Sequence, residues 1–312
     1  MSLGVLNNLS AVYAENNLNN TNNSLNTVLQ QLSSGSKINS GADDAAGLSL
    51  VDGLQANSQA LTQSETNATE GVGMLQVADG ALSQVTSLLN RAVTLATEAS
   101  NGTLNLTQSA AANQEYQSIL AEINNIGTTT TYNQTQVFGQ KANAGATVNI
   151  YTGDSSTAGA SIDGLYFAAL SSQSVGDAGG TVSLTPAGAN PATITYTAGT
   201  GQQDLSTTSL TGTTVALAQT AAQGTLNDLN TAIADVAAQD GYIGAQINTL
   251  NSVSQVLSTQ QENVQSAQNA VQATDYASAT SAMSKYEILS QTGISALAQA
   301  NSVQQEVTKL LQ

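Results

Sequence analysis

The most numerous ionisable side chains in this sequence are carboxylates, from 21 Asp and Glu residues. The 312 residues include no histidine and no cysteine, so there is no imidazole base, no thiol nucleophile and no ordinary zinc ligand. A pair of carboxylates can hydrolyse a glycoside, but the acidic residues are scattered over predicted helix surfaces, as at Asp43, Asp44, Glu65, Glu70, Asp79 and Glu98. We therefore expect no catalytic residue, no metal and no cofactor, and the protein is not predicted to be an enzyme.

The charge balance excludes two further classes of partner. Five Lys and Arg residues stand against 21 Asp and Glu residues, which gives a net charge of −16 at pH 7. Nucleic acids and anionic membrane surfaces are bound by clustered basic residues, and the sequence has no such cluster. No run approaches the roughly 18 apolar residues of a membrane helix. The opening MSLGVLNNLS also lacks the features of a cleavable signal, so any export must use another route.

The longest predicted element is a helix over residues 44–99 that carries two apolar registers. The first repeats every seven residues, as in a helix that packs along a neighbour; it comprises Leu54, Leu61, Ala68, Leu75, Leu82, Leu89 and Ala96. The second alternates steps of four and three residues; it comprises Met74, Ala78, Ala81, Val85, Leu88, Ala92 and Leu95. Such a helix must be covered from two sides, and periodicity does not say whether both partners belong to the same chain.

Four more helices are predicted around this one. A short helix over residues 106–127 and a long one beginning near residue 214 can both fold back onto the helix over residues 44–99. For that central helix, Ser40 or Asp43 is the expected N-cap and Gly102 the expected left-handed terminator. Terminal helices over residues 1–34 and 276–312 have apolar stripes but poor helix propensity. Ten of the first forty residues are Asn, whose side chain competes for backbone hydrogen bonds. We expect these ends to fold only when other helices surround them.

The middle of the sequence changes to β-strand patterns. Strands are expected near residues 148–151, 162–170, 181–184 and 193–196, separated by Gly, Asp and Ser. The predicted fold is mainly α, a long antiparallel helical coiled-coil bundle with paired terminal helices and a small β-rich central insertion that projects from it. The predicted domain limits are 1–43 and 275–312 for the terminal helices, 44–139 and 214–274 for the core, and 140–213 for the insertion.

Three long motifs resemble bacterial flagellin. They are LSSGSKINSGADDAAG at residues 32–47, QSETNATEGVGMLQVADGAL at residues 63–82, and TDYASATSAMSKYEILSQTGISALAQANSVQ at residues 274–304. The resemblance covers residues 1–140 and 225–312. It implies a subunit of the extracellular flagellar filament, used for swimming, with the terminal helices lining an inner tube, the long helices forming an outer one and the middle facing solvent.

The resemblance also implies a route and a set of partners. The subunit would be exported unfolded through the flagellar channel and would fold on assembly with copies of itself. An export chaperone would hold the C-terminal helices, and the flagellar cap and hook-junction proteins would flank the filament. Two alternatives stay open: a hook–filament junction protein with the same terminal motifs, and a surface-exposed adhesive or binding module.

Two sets of site residues follow from the apolar registers and the resemblance. Self-assembly is expected of apolar residues in the terminal helices and in the second register, which we assign to contacts along the filament: Leu18, Leu25, Val28, Leu32, Val85, Leu88, Leu95, Leu289, Ala296, Val303, Val307 and Leu310. Some flagellins are recognised by the animal Toll-like receptor 5 (TLR5), and the positions that match that surface are Arg91, Leu95 and Glu122. The flagellin pattern has a second basic residue and an adjacent acid where this sequence has Val93 and Thr94, so the sequence departs from the recognised pattern.

Overall fold

A computed structural model of the protein describes residues 8–139, 146–153, 162–171, 174–178, 181–185, 193–197 and 201–310. Its helices are α1 (Leu9–Ser34), α2 (Ala45–Ser100), α3 (Leu106–Thr129), α4 (Val215–Gln272) and α5 (Tyr276–Leu310). Short strands lie between α3 and α4: β1 (Thr131–Tyr132), β2 (Thr135–Gln136), β3 (Ala146–Tyr151), β4 (Ile162–Phe167), β5 (Leu170–Ser171), β6 (Ser174–Ala178), β7 (Thr181–Thr185), β8 (Thr193–Thr197) and β9 (Gly201–Gln203). The predicted fold class is confirmed.

The chain divides into two compact units, which we call the terminal unit and the central unit. The terminal unit comprises residues 1–58 and 262–312, and the central unit comprises residues 59–261. Their limits lie inside α2 and α4, whereas the sequence-based limits lie where helices begin or end. Those sequence-based domain limits stay a prediction.

In the central unit, α2 and α4 run antiparallel and bury the first register. The Gln261 side-chain amide donates to the Thr62 hydroxyl at 2.9 Å, and the Gln219 amide donates to the Ser100 carbonyl at 3.1 Å. The two contacts join opposite ends of the helices, which fixes the antiparallel direction. Six first-register residues are at most 3% exposed within this unit: Leu61, Ala68, Leu75, Leu82, Leu89 and Ala96. This confirms α2 as a core helix packed on its own chain.

The other side of α2 is covered by α3 and by the segment that precedes α4. Helix α3 begins with a capping box in which the Asn105 side chain and the Gln108 side chain each bond the other's backbone. Its buried face presents Tyr116 and Ile123, and the Ser109 hydroxyl donates to the Leu210 carbonyl at 2.6 Å. Second-register residues of α2 join this cluster, so both registers are buried in the same unit.

The central strands are packed onto the helices rather than held away from them. Strands β3 and β4 form an antiparallel hairpin, and β5, β6 and β9 form a three-stranded sheet. The Ser64 hydroxyl of α2 donates to the Gly153 carbonyl at 2.6 Å, and Leu165, Phe167 and Leu170 are at most 1% exposed. The expectation that the whole middle segment projects is therefore wrong for this part, because its apolar residues complete the core.

The loop before α2 differs from the prediction in its capping residue. The Asp44 side chain accepts the Gly47 N–H at 2.9 Å, so Asp44 caps the helix. Asp43 instead accepts the backbone N–H groups of Asn39 and Ser40 at 3.1 and 2.9 Å, which lowers the pKa of its carboxyl. Neither Ser40 nor Asp43 is the N-cap.

The left-handed glycine also lies elsewhere. Among the described glycines only Gly35, at the end of α1, has a positive φ, of 71°. Its N–H donates to the Gln31 carbonyl at 2.9 Å and closes the last turn of the helix. Gly102 does not have a positive φ, so the prediction of a left-handed terminator there was wrong.

Candidate functional site

Helices α1 and α5 lie side by side and antiparallel in the terminal unit. Asn8 caps the start of α1 by accepting the Ala11 N–H at 3.1 Å, and its side-chain amide donates to the Ala300 carbonyl of α5 at 2.9 Å. At the other end of the pair, the Thr274 N–H donates to the Gly35 carbonyl at 3.1 Å. These contacts confirm that the terminal helices are paired.

The helix pair leaves many of its own apolar side chains in solvent. No residue of α1 is buried, although Leu9, Val12 and Tyr13 follow one face of the helix and are 63%, 51% and 62% exposed. On α5, Ile288 and Ile294 are 64% and 57% exposed. Large apolar side chains exposed together in this way mark an interaction site.

The interface between the two helices is itself loosely filled. A groove of about 580 Å³ runs between them, and Leu18, Tyr286, Leu289 and Ala296 lie along it. The helices lie close together at Gly293, where an added Cβ would lie 3.3 Å from the Leu18 side chain. Helices α1 and α5 are therefore fully formed, although they lack the burial of apolar side chains that normally stabilises helices in proteins.

The predicted self-assembly residues of the terminal helices lie on this pair. Leu18, Leu25, Val28 and Leu32 of α1 are each partly buried, while Leu289 and Val303 of α5 are 42% and 40% exposed and Ala296 is also exposed. Val307 and Leu310 lie within α5, but their side chains fall outside the described residues. The described residues of this set therefore all lie on the helix pair formed by α1 and α5.

The self-assembly residues predicted on α2 occupy a different environment. Val85 and Leu95 are 0% and 3% exposed, and Leu88 is packed against the same core. These side chains contact α3, the strands and α4 within their own unit. The division of α2 into a folding register and an assembly register is therefore not supported, because both registers are used for folding.

The three receptor-matching residues do not form one exposed surface. The Arg91 guanidinium pairs with the Glu115 carboxylate at 2.7 Å, and both side chains are about half exposed. Glu122 is exposed and accepts a long hydrogen bond from Asn125 at 3.5 Å. Leu95 lies in the core and is not available to a partner.

Two displaced pKa values in the central unit have structural causes. Burial raises the pKa of Tyr116 to about 12, although its hydrogen bond to the Thr208 hydroxyl acts in the opposite direction. Burial, and next the neighbouring Asp79 carboxyl, raise the pKa of Asp240. The Asp79 and Asp240 pair is a contact between α2 and α4. Within the described ranges, no three potential metal ligands come together, and no helix is long and apolar enough to cross a membrane.

The sequence interpretation missed part of the exposed apolar surface. Leu9, Val12 and Tyr13 of α1 and Ile288 and Ile294 of α5 were not among the predicted assembly residues, yet they are among the most exposed large apolar side chains. The spacing of Leu9, Val12 and Tyr13 is the three-four spacing of a helix face and carries the signal. Ile288 and Ile294 lie outside the register that includes Leu289 and Ala296.

Two family models match the sequence. One, described as the bacterial flagellin N-terminal helical region, matches residues 5–143, and the other, the bacterial flagellin C-terminal helical region, matches residues 226–311. The two matches together cover more than half of the chain. They correspond to α1 to α3 and to α4 and α5.

Individual relatives match either the full length or one end. Flagellin of Listeria monocytogenes is 29% identical over 305 residues, which are 97% of this chain and 98% of the relative. Flagellin of Halalkalibacterium halodurans is 28% identical over 310 residues, with the same two shares. Polar flagellin C of Vibrio parahaemolyticus is 41% identical over 132 residues, which are 42% of this chain but 34% of that protein. A solved structure of Bacillus cereus flagellin gives a TM-score of 0.42 at 22% identity and covers 61% of this chain and 88% of that chain.

Proposed function

Because this chain belongs to the bacterial flagellin family, we propose that it polymerises into the flagellar filament through the apolar faces of α1 and α5. The protein is a structural subunit of the filament and not an enzyme. The observation that supports this route is the terminal helix pair, in which α1 buries no residue and both helices expose large apolar side chains. Repeated contacts between different faces of identical subunits generate a helical filament.

Burial energetics favour coupled folding and assembly. Ordering a residue costs roughly 1–2 kcal/mol of backbone entropy, and complete burial of an aliphatic side chain returns about 1.5–3 kcal/mol. The 26 residues of α1 obtain only partial burial from α5. Neighbouring subunits supply the missing burial, so the helices become stable in the filament.

The proposal includes an export route and further protein partners. The chain crosses the flagellar channel unfolded and takes its place in the extracellular filament that drives swimming. In the cell, an export chaperone covers exposed apolar side chains of α5, such as Ile288 and Ile294. The flagellar cap and hook-junction proteins contact the two ends of the assembled filament.

Recognition by TLR5 would use Arg91 and Glu122. Arg91 and Glu122 are exposed, but Arg91 is paired with Glu115 and Leu95 is buried. The receptor would have to bind Arg91 and Glu122 without contacting Leu95. Activation of the receptor by purified monomer tests this, and silence at high concentration would remove the proposal.

Assembly through α1 and α5 is tested by placing a charge on each partly buried face. Leu25→Asp and Val303→Asp are expected to abolish filament growth on preformed seeds, because a carboxylate would be desolvated at a helix contact. Leu25→Met and Val303→Ile are the matched controls, since they keep an apolar side chain of similar size and should polymerise.

Two measurements are needed for each variant. Sedimentation and electron microscopy report filament growth, and urea unfolding of the monomer shows whether the central unit remains folded. Normal filaments from either aspartate variant would contradict the proposal. If the unmodified chain added a single layer to the seeds and then stopped, it would be a hook–filament junction protein instead.

A further inference from the structure

The turn between α2 and α3 contains an exposed Asn-Gly pair. Asn101, Gly102 and Thr103 connect the two helices, and all three are exposed. Asn101 is the only asparagine of the chain that is followed by glycine. An asparagine side chain can react with the backbone nitrogen of the next residue, and glycine hinders that nitrogen least because it has no Cβ.

We propose that Asn101 is a deamidation site, which converts with time to aspartate and isoaspartate. The Gly102 nitrogen attacks the Asn101 Cγ and loses its proton, and the Cγ–Nδ2 bond breaks, so that ammonia leaves and a cyclic succinimide remains. Water then opens the ring at either carbonyl. The sum is one water consumed and one ammonia released, without an oxidant or reductant.

The local structure leaves both reacting groups unrestrained. The Asn101 N–H donates to the Glu98 carbonyl at 3.2 Å and the Leu104 N–H donates to the Asn101 carbonyl at 3.4 Å. Neither of these bonds uses the Asn101 side chain or the Gly102 N–H, and no other hydrogen bond in the described part of the chain uses them. The nucleophile and the electrophile are therefore free to approach each other.

Neighbouring asparagines in helix α3 are restrained and serve as internal controls. The Asn105 side chain caps α3 by accepting the Gln108 N–H at 2.9 Å. The Asn113 side chain accepts the Leu210 N–H at 2.9 Å. Each of these side chains would have to leave its hydrogen bond before it could react, and each is followed by a larger residue than glycine.

The reaction would alter the connection between α2 and α3. A new carboxylate would lie just beyond the C-terminus of α2, beside Glu98, where the helix dipole disfavours negative charge and no basic residue occupies the last turn. Isoaspartate would also lengthen the backbone by one carbon. That change displaces the Asn101 carbonyl, which accepts the Leu104 N–H in the turn.

Mass spectrometry of aged protein tests the site. Trypsin cleavage after Arg91 and Lys141 releases residues 92–141, a peptide with six asparagines that include Asn101, Asn105 and Asn113. The full-length chain is incubated at mildly alkaline pH, digested and fragmented to locate each mass gain. Asn101 is expected to convert about tenfold faster than any other asparagine in the peptide, a difference of ~1.4 kcal/mol in activation free energy.

Gly102→Ala is the control for the mechanism. A Cβ at residue 102 would lie 2.9 Å from the amide at the end of the Gln219 side chain, which would lose its hydrogen bond to the Ser100 carbonyl if it moved aside. This variant should fold and should slow conversion of Asn101 by a similar factor. Equal conversion at Asn101 and Asn113, or an unchanged rate in Gly102→Ala, would overturn the proposal. The outcome does not depend on whether the chain forms filaments.

Discussion

Tyr116 provides a stability prediction whose size can be worked out from its surroundings. Its side chain is fully buried in α3, and its hydroxyl hydrogen-bonds the Thr208 hydroxyl. The Thr208 hydroxyl donates its own proton to the Leu205 carbonyl at 2.6 Å, so Tyr116 is the donor in the first bond. Removing the tyrosine proton would leave a buried anion, which the Thr208 hydroxyl could stabilise only by turning its proton away from the Leu205 carbonyl.

The direction of the pH effect follows from the pKa of Tyr116. Burial raises it from 10.0 to about 12, so the native state keeps the proton at pH values where the unfolded chain loses it. The stability due to this group is complete below pH 10 and is lost as the pH rises from 10 to about 12. The loss amounts to about 3 kcal/mol over this range.

Urea unfolding of the monomer at a series of pH values measures this loss, with Tyr116→Phe as the control. The variant should be about 1 kcal/mol less stable at neutral pH, because it lacks the hydrogen bond to Thr208. Above pH 10 the unmodified protein should lose stability more steeply than the variant, since phenylalanine does not ionise. Parallel loss of stability in both proteins would refute the reasoning.

Two further predictions concern the contacts of the central unit. Asp240→Asn should raise stability at pH 7 by about 0.5 kcal/mol. Burial, and next the neighbouring Asp79 carboxyl, raise the pKa of Asp240, so its ionisation costs stability as the pH rises through that pKa. In a urea titration the gain should disappear below the ordinary carboxyl pKa of 3.8, and a gain that persisted there would show that ionisation of Asp240 is not its cause. Gly127→Ala should lower stability by about 1–3 kcal/mol, because the added methyl would overlap the Leu170 carbonyl; an unchanged urea midpoint would show that β5 can move away.

The helices of this protein could be located from sequence to within a few residues. The long helix predicted over residues 44–99 is Ala45–Ser100, and the short one predicted over residues 106–127 is Leu106–Thr129. The reason is physical, since helix periodicity is a local signal, although the residue that caps α2 and the backbone conformation of Gly102 were not obtained from it. The first seven residues of the predicted N-terminal helix and the last two of the C-terminal helix lie outside the described residues.

The neighbours of each apolar stripe could not be obtained in the same way. Periodicity shows that α2 has two stripes but not what covers them, and the second stripe is covered by α3 and by residues such as Leu210 and Phe167. Those residues lie in a turn-rich segment whose sequence predicts exposure. In α2, buried residues were predicted to take part in assembly. In α1, by contrast, the exposed residues Leu9 and Tyr13 were not among the predicted assembly residues.

Amide hydrogen exchange, compared between monomer and filament, tests most directly whether assembly stabilises the terminal helices. We expect fast exchange of the backbone amides of α1 and α5 in the monomer, because no side chain of α1 is buried there, and strong protection of the same amides in the filament. The amides of α2 and α3 in the central unit, whose core is complete, should be protected in both states. Equal protection of α1 and α5 in monomer and filament would contradict the claim that neighbouring subunits supply their stability.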